Sequence, residues 1–296
     1  MQHIEGKVAF ITGGASGIGF GMARTFLRAG MQVAIADNSA ANLADAEAQL
    51  AGSNGDYLVM QLDVTDREAF AAAADAAEAR FGKIHVLCNN AGIGMAEAMS
   101  KAGYEDWDRM LSINLGGVIN GIVTMLPRIR RHGEGGHIVN TSSAAGILPL
   151  PDGGGIYSAS KFAVRGLSES LRLALVADRI GVSTLFPGLT RSRILDGAKA
   201  AVTDGVQDLD PVSASFAIAQ QHAMDPMDLA GAVLDGIIRN DAYILAHPEF
   251  RDEIEDQHRE LMAAIRDDLP AHPGRLEMEA GRRQHIAELK AEMKPW

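Results

Sequence analysis

KVAFITGGASGIGFG, residues 7–21, begins as an apolar run, breaks into glycines and resumes with helical spacing. KVAFIT has the β-branched and aromatic content of a strand. TGGASGIG at 12–19 follows it directly and leads into a helix, and this context carries more weight than the glycines alone. Strand, glycine turn and helix in that order open a dinucleotide-binding βαβ unit. Gly13 permits the tight turn, Gly17 lets the backbone approach a pyrophosphate, and Gly19 lets the helix lie close to the sheet. Ser16 and Ile18 complete the loop. The phosphates then sit at a helix N-terminus, where free N–H groups and the helix dipole favour an anion.

The rhythm of that unit continues to about residue 246. KVAFIT, MQVAIAD, YLVMQLDV, IHVLCNN, HIVNTSS, VSTLFPG and AYILA are candidate strands. Between them, 17–30, 39–51, 66–81, 105–131, 157–179 and 227–240 read as helices. Such alternation predicts parallel strands with crossover helices. Strands apolar nearly throughout imply helices on both faces. The expected fold is therefore α/β, a doubly wound Rossmann-type domain over 1–247. Residues 189–225 have no clear period and are expected to act as a substrate flap. Residues 248–296 are highly charged, with an apolar stripe at Phe250, Ile254, Leu261 and Ile265, and predict a helical extension.

A formal net charge of -11 argues against binding nucleic acid, and a small-molecule partner is expected instead. The single cysteine, Cys88, cannot form an intramolecular disulfide and reads as a buried small residue. No signal-like N-terminus and no span-length apolar run is evident, so a cytoplasmic protein is expected, with no membrane partner. The histidines show no HExxH motif, and no metal site is expected; His132 and His137 flank a glycine-rich turn and read as solvated.

Asp37 closes the second strand, 18 residues after Gly19, where an acidic side chain meets the adenosine ribose. Its carboxylate accepts from the ribose hydroxyls and repels a 2′-phosphate, while neither Ser16 nor Asn38 supplies a compensating positive charge. NAD is expected over NADP.

Tyr157 and Lys161 in YSASK stand four apart at the start of a helix and so share a face. A phenol of pKa about 10 is a poor base at neutral pH. A lysine ammonium and a bound nicotinamide cation would favour the phenolate, letting Tyr157 take a proton from an alcohol as hydride leaves.

With these motifs in order, TGGASGIG, Asp37, LDV at 62–64, NNAG at 89–92, the IN of SINLGGV, the serine strand, YSASK and PG at 187–188, the chain closely resembles the short-chain dehydrogenase/reductase family. The resemblance covers residues 5 to about 247. It implies a seven-stranded parallel sheet and assembly into homodimers or homotetramers. It also assigns Asp63 and Val64 to the adenine, and Asn90, Ala91 and Gly92 to the adjacent ribose and groove floor. Pro187 and Gly188, with Thr190 and Ser192, fall where the family grips the nicotinamide carboxamide; Ser192 replaces a commoner threonine. Asn114 matches the family's helix-interrupting asparagine, which holds a water linked to the lysine.

The catalytic serine implied is Ser143, the second of a pair, although the family usually has one residue fewer before the tyrosine. Strand alternation sends Ser142 and Ser143 to opposite faces. A slip absorbed by Gly153, Gly154 and Gly155 costs less than a slip in the strand. Ser143 would then hydrogen-bond the substrate oxygen.

Ile147, Leu148, Pro149, Leu150 and Pro151, with Leu189, Ile194 and Leu195 of the flap, suggest an apolar or aromatic alcohol or ketone. TGGASGIGFG, GEGGHIVNTSS and the tail AYILAHPEFRDEIE also look like the bacterial Cα-dehydrogenases of lignin β-aryl ether degradation. That likeness implies NAD-linked oxidation of a benzylic alcohol to the aryl ketone. The alternatives are a dehydrogenase or reductase for steroid, terpenoid or 3-oxoacyl substrates, and a non-catalytic NAD sensor.

Overall fold

A computed structural model describes residues 1–53, 55–94, 97–192 and 222–293. β1 (Val8–Thr12), β2 (Gln32–Asp37), β3 (Tyr57–Gln61), β4 (Val86–Asn89), β5 (Gly136–Thr141), β6 (Ile180–Leu185) and β7 (Tyr243–Ile244) form one parallel sheet in the order β3-β2-β1-β4-β5-β6-β7. The order reverses between β1 and β4, and a crevice opens beyond the carboxyl ends of the strands at such a reversal.

β1 shows why these strands are apolar throughout. Ala9 and Ile11 pack into one core with Val33 and Ile35 of β2, while Val8 and Phe10 pack into the other with Ala34 and Ala36. The first core is closed by α1 (Gly17–Arg28), α2 (Ala40–Leu50) and α7 (Pro226–Arg239). The second is closed by α3 (Arg67–Phe81), α5 (Gly117–His132) and α6 (Gly155–Ala174).

Helix ends follow local chemistry. Asp66 caps α3 by accepting from the N–H groups of Glu68 and Ala69, and Asp225 caps α7 with Pro226 just inside it.

The segment expected as one helix over 105–131 is α4 (Tyr104–Leu111), a π turn (Ser112–Gly116) and α5. By length and hydropathy, Tyr104–His132 would qualify as a membrane span, contrary to the reading that no such run exists. Met110, Val118, Met125 and Ile129 are instead buried within the domain. His137 corrects another expectation. It is fully buried on β5, with Nε2 hydrogen-bonded to Ser183 Oγ at 2.8 Å, because the strand begins at Gly136, just before it. His132 is half-buried and its ring lies 4.8 Å from that of His85.

Beyond β7, α8 (Arg251–Ala263) and α9 (Pro273–Glu292) contain no buried residue. Ile254 is half-buried, but Leu261 and Ile265 of the expected stripe are exposed. Of the expected flap, 193–221 lie outside the described residues, Ile194 and Leu195 included.

Candidate active site

Steric crowding explains the glycines after β1. Gly13 and Gly17 have φ of +59° and +49°, the left-handed region that favours glycine. A Cβ on Gly19 would lie 2.0 Å from the Gly13 carbonyl oxygen, and one on Gly17 would lie 2.9 Å from Ser192 Cβ. The loop is a bare-backbone cradle at the start of α1, with Ser16 in extended conformation as the N-cap residue and Ile18 in the first turn. Such a cradle fits a dinucleotide pyrophosphate.

Asp37 is buried at the tip of β2, where its carboxylate accepts from the Ala15 N–H at 3.2 Å and the Ser39 N–H at 3.0 Å. These bonds fix the carboxylate beside the cradle. Asp63 accepts from the N–H of Thr65 at 2.9 Å and from its hydroxyl at 2.8 Å, and Val64 packs against Gly117.

Thr12, which the sequence reading passed over, joins the cradle to the end of β4. Its hydroxyl accepts from the N–H groups of Asn90 at 3.0 Å and Ala91 at 3.1 Å. Asn90 returns its side-chain amide to the carbonyls of Thr12 and Gly13, each at 3.2 Å. The sequence signal for Thr12 was its place as the last strand residue before the glycines.

Asn114 lies in the π turn, fully buried. Its Oδ1 accepts from the Ile93 N–H at 2.9 Å, and its Nδ2 donates to the Ile93 carbonyl and the Ser160 hydroxyl, each at 3.1 Å. The π turn is a local widening of the kind that often marks functional sites. A Cβ on Gly92 would meet Asn114 Oδ1 at 3.0 Å and Lys161 Nζ at 3.5 Å, so this glycine keeps open the space where the two polar groups converge.

α6 carries Tyr157 and Lys161. Lys161 is buried, its Nζ lies 5.6 Å from the Tyr157 ring centroid, and it donates to the Thr141 carbonyl at 3.0 Å. Burial pushes its pKa down to about 8. Desolvation pushes the Tyr157 phenol up, opposed by a hydrogen bond with the Ser143 hydroxyl. Desolvation is the larger of the two effects, so the phenol stands above its ordinary pKa.

The two serines diverge. Ser142 is buried and donates to the Lys161 carbonyl at 2.7 Å, whereas the half-buried Ser143 accepts from the Ala145 N–H at 3.1 Å and pairs with the Tyr157 phenol. The added loop length after them is folded into two 3₁₀ turns, Ala144–Gly146 and Asp152–Gly154, before α6 begins at Gly155. Of the expected pocket wall, Ile147 and Leu189 are half-buried, Leu148 is buried, and Pro149, Leu150 and Pro151 are exposed.

Pro187 accepts from the Ala144 N–H at 2.8 Å, and Thr190 Oγ1 donates to the Gly188 carbonyl at 3.3 Å. Thr190 also forms a parallel bridge with Met224. Two residues on, Ser192 lies against Gly17 of the glycine cradle.

Away from the crevice, His85, His132 and Glu134 bring ligand-type atoms within 4.8 Å of one another, a cluster that linear spacing could not reveal. Each ring nitrogen already has a partner. His85 uses the Val8 N–H and Glu134, and His132 uses the Ile84 carbonyl and the Glu134 N–H. Lys7 and Lys83 also bind the Glu134 carboxylate, so the cluster reads as an internal clamp.

The comparisons agree with this geometry. The family model for short chain dehydrogenase matches residues 7–202. The C alpha-dehydrogenase of Sphingobium sp. SYK-6 is 37% identical over 270 residues, covering 90% of this chain and 88% of that protein. The apo structure of LigO from the same organism is 38% identical with a TM-score of 0.79, covering 96% of this chain and 97% of LigO. A short chain dehydrogenase/reductase from Burkholderia phymatum, solved in complex with NAD, is 30% identical with a TM-score of 0.82, covering 92% of this chain and all of that one. Strand order, glycine cradle and matched sequence converge: the chain is an oxidoreductase of the short-chain dehydrogenase family.

Proposed function

We propose that this protein oxidises a bulky aryl secondary alcohol to its ketone with NAD, the benzylic carbon of an aryl-glycerol β-aryl ether being the reacting centre. The observation that carries the reaction class is the facing of the Ser143 hydroxyl and Tyr157 phenol, with Lys161 Nζ 5.6 Å from the Tyr157 ring centroid, beside a bare-backbone cradle. Likeness to the Sphingobium C alpha-dehydrogenase supports the substrate class.

The residues divide the work as follows. Gly13, Ser16, Gly17, Ile18 and Gly19 hold the pyrophosphate, Asp37 the adenosine ribose, Asp63 and Val64 the adenine, and Asn90, Ala91 and Gly92 the groove floor. Pro187, Gly188, Thr190 and Ser192 hold the nicotinamide end. NAD, when bound, supplies the hydride acceptor. Ser143 donates to the alcohol oxygen and orients it, while Tyr157 takes its proton. Lys161, as ammonium, favours the phenolate. Asn114 and the space above Gly92 give the proton a polar route from the lysine.

Residues 1–247 form the working domain, 189–225 its substrate flap and 248–296 an appended helical segment. The chain works in the cytoplasm as a homodimer or homotetramer.

Incubation with NAD and a panel of aryl secondary alcohols tests the reading. Reduction of NAD with one equivalent of aryl ketone is expected. Binding of NAD without reduction across the panel overturns it.

A further inference from the structure

The motif AHPEF at 246–250 has no part in the chemistry above, yet it folds against the site. β7 pairs with the end of β6, where the Phe186 N–H donates to the Ile244 carbonyl at 2.9 Å. The chain then turns so that His247 and Phe250 lie side by side, ring centroids 5.8 Å apart. His247 is 2% exposed. Its Nδ1 bonds Glu249 Oε1 at 2.8 Å, and its Nε2 has no partner among the described residues.

Both rings fill the space that a side chain at Gly188 would need. A Cβ there would lie 2.7 Å from Phe250 Cε2, 2.8 Å from His247 Nδ1 and 2.9 Å from His247 Cγ. Gly188 does not have a positive φ, so its lack of a side chain answers to this packing. The opposite support of the loop is the hydrogen bond from the Ala144 N–H to the Pro187 carbonyl. Gly188 is thus held between the end of β5, which leads to Ser143, and the two rings.

We propose that His247 and Phe250 are positioning residues that set the height of the Gly188–Ser192 loop, and through it the grip on the nicotinamide end of the cofactor. Glu249 fixes the orientation of the His247 ring beside Gly188 by bonding its Nδ1. The proposal rests on the assignment of Thr190 and Ser192 to that grip. It makes the rings and the missing Cβ energetically coupled, because contacting groups give non-additive effects.

The test is a titration of the whole enzyme with NAD, followed by intrinsic fluorescence, for wild type, Gly188→Ala, His247→Ala and the double variant. Gly188→Ala is expected to weaken binding by roughly tenfold or more, and the double variant to bind more tightly than Gly188→Ala alone. His247→Gln, whose side-chain amide can still reach Glu249, is expected to retain more affinity than His247→Ala. In turnover, KM for NAD rises in His247→Ala by more than kcat falls.

Phe250→Leu provides a second, milder perturbation should His247→Ala fail to fold, and it too is expected to raise KM. Additive effects in the double variant, or unchanged affinity in both His247→Ala and Phe250→Leu, overturn the proposal. Failure of the wild type to bind NAD or NADP would instead overturn the dinucleotide reading from which it starts.

Discussion

The hydroxyl of Ser142 donates to the backbone carbonyl of Lys161 at 2.7 Å, tying the end of β5 to the helix that carries the lysine. Ser143, the next residue, turns the other way and meets Tyr157. The two serines are therefore expected to have separable duties. Ser143→Ala is expected to lower kcat by about a hundredfold or more, as loss of a hydrogen-bond donor to developing charge does. Ser142→Ala is expected to cost about 1 kcal/mol of stability through a buried hydrogen bond, with the smaller kinetic effect. Parallel turnover and thermal unfolding measurements decide this; a larger loss of turnover from Ser142→Ala contradicts it.

The proposed preference for NAD over NADP rests on one carboxylate. Asp37 is fixed by the N–H groups of Ala15 and Ser39, so it cannot swing away from a 2′-phosphate without losing both bonds. Replacing Asp37 with Ser and Asn38 with Arg is expected to move the ratio of kcat/KM values toward NADP by roughly a hundredfold, about 3 kcal/mol. An unchanged ratio removes Asp37 from the ribose.

Lys161 makes stability depend on pH with a definite sign. Burial lowers its folded-state pKa from 10.5 to about 8, so between those values the unfolded chain binds more protons than the folded one. The contribution of Lys161 to stability therefore rises with pH across that window. Lys161→Met is expected to be inactive and to lack this rise, the difference from wild type being about 3 kcal/mol across the whole window. Melting temperatures of the two proteins from pH 7 to pH 11 would check it. Parallel curves contradict the buried, destabilised ammonium.

Gly19→Ala places a Cβ 2.0 Å from the Gly13 carbonyl oxygen and 2.7 Å from Asn90 Nδ2. Overpacking of this kind costs about 1–3 kcal/mol. The cradle must open to relieve it, so cofactor affinity is expected to fall together with the melting temperature. A folded variant that retains affinity would show that the cradle is not the pyrophosphate site.

These expectations start from features that the sequence exposes unequally. Continuous apolar runs reveal a sheet buried on both faces, and the run, glycines and helix at 7–21 reveal its first βαβ unit. Helical spacing over 105–131 could not reveal the π turn, because a one-turn widening leaves the apolar periodicity on either side intact. His137 looks solvent-exposed from sequence because glycines signal turns more often than strand starts, whereas its burial beside Ser183 depends on a strand distant in sequence. The His85, His132 and Glu134 cluster joins the residue before β4 to the last turn of α5 and the loop that follows it, a juxtaposition no linear motif encodes. The serine question was open to sequence reasoning because alternation along a paired strand is local, and pairing continues past β5: the Ser142 N–H donates to the Leu185 carbonyl.

The most direct test of the proposed reaction is to supply an aryl-glycerol β-aryl ether carrying deuterium on the benzylic carbon, with NAD, and to weigh both products by mass spectrometry. The account predicts deuterium in the reduced cofactor and an unlabelled aryl ketone. Deuterium retained at the benzylic carbon, with the cofactor reduced by oxidation elsewhere on the molecule, would contradict it.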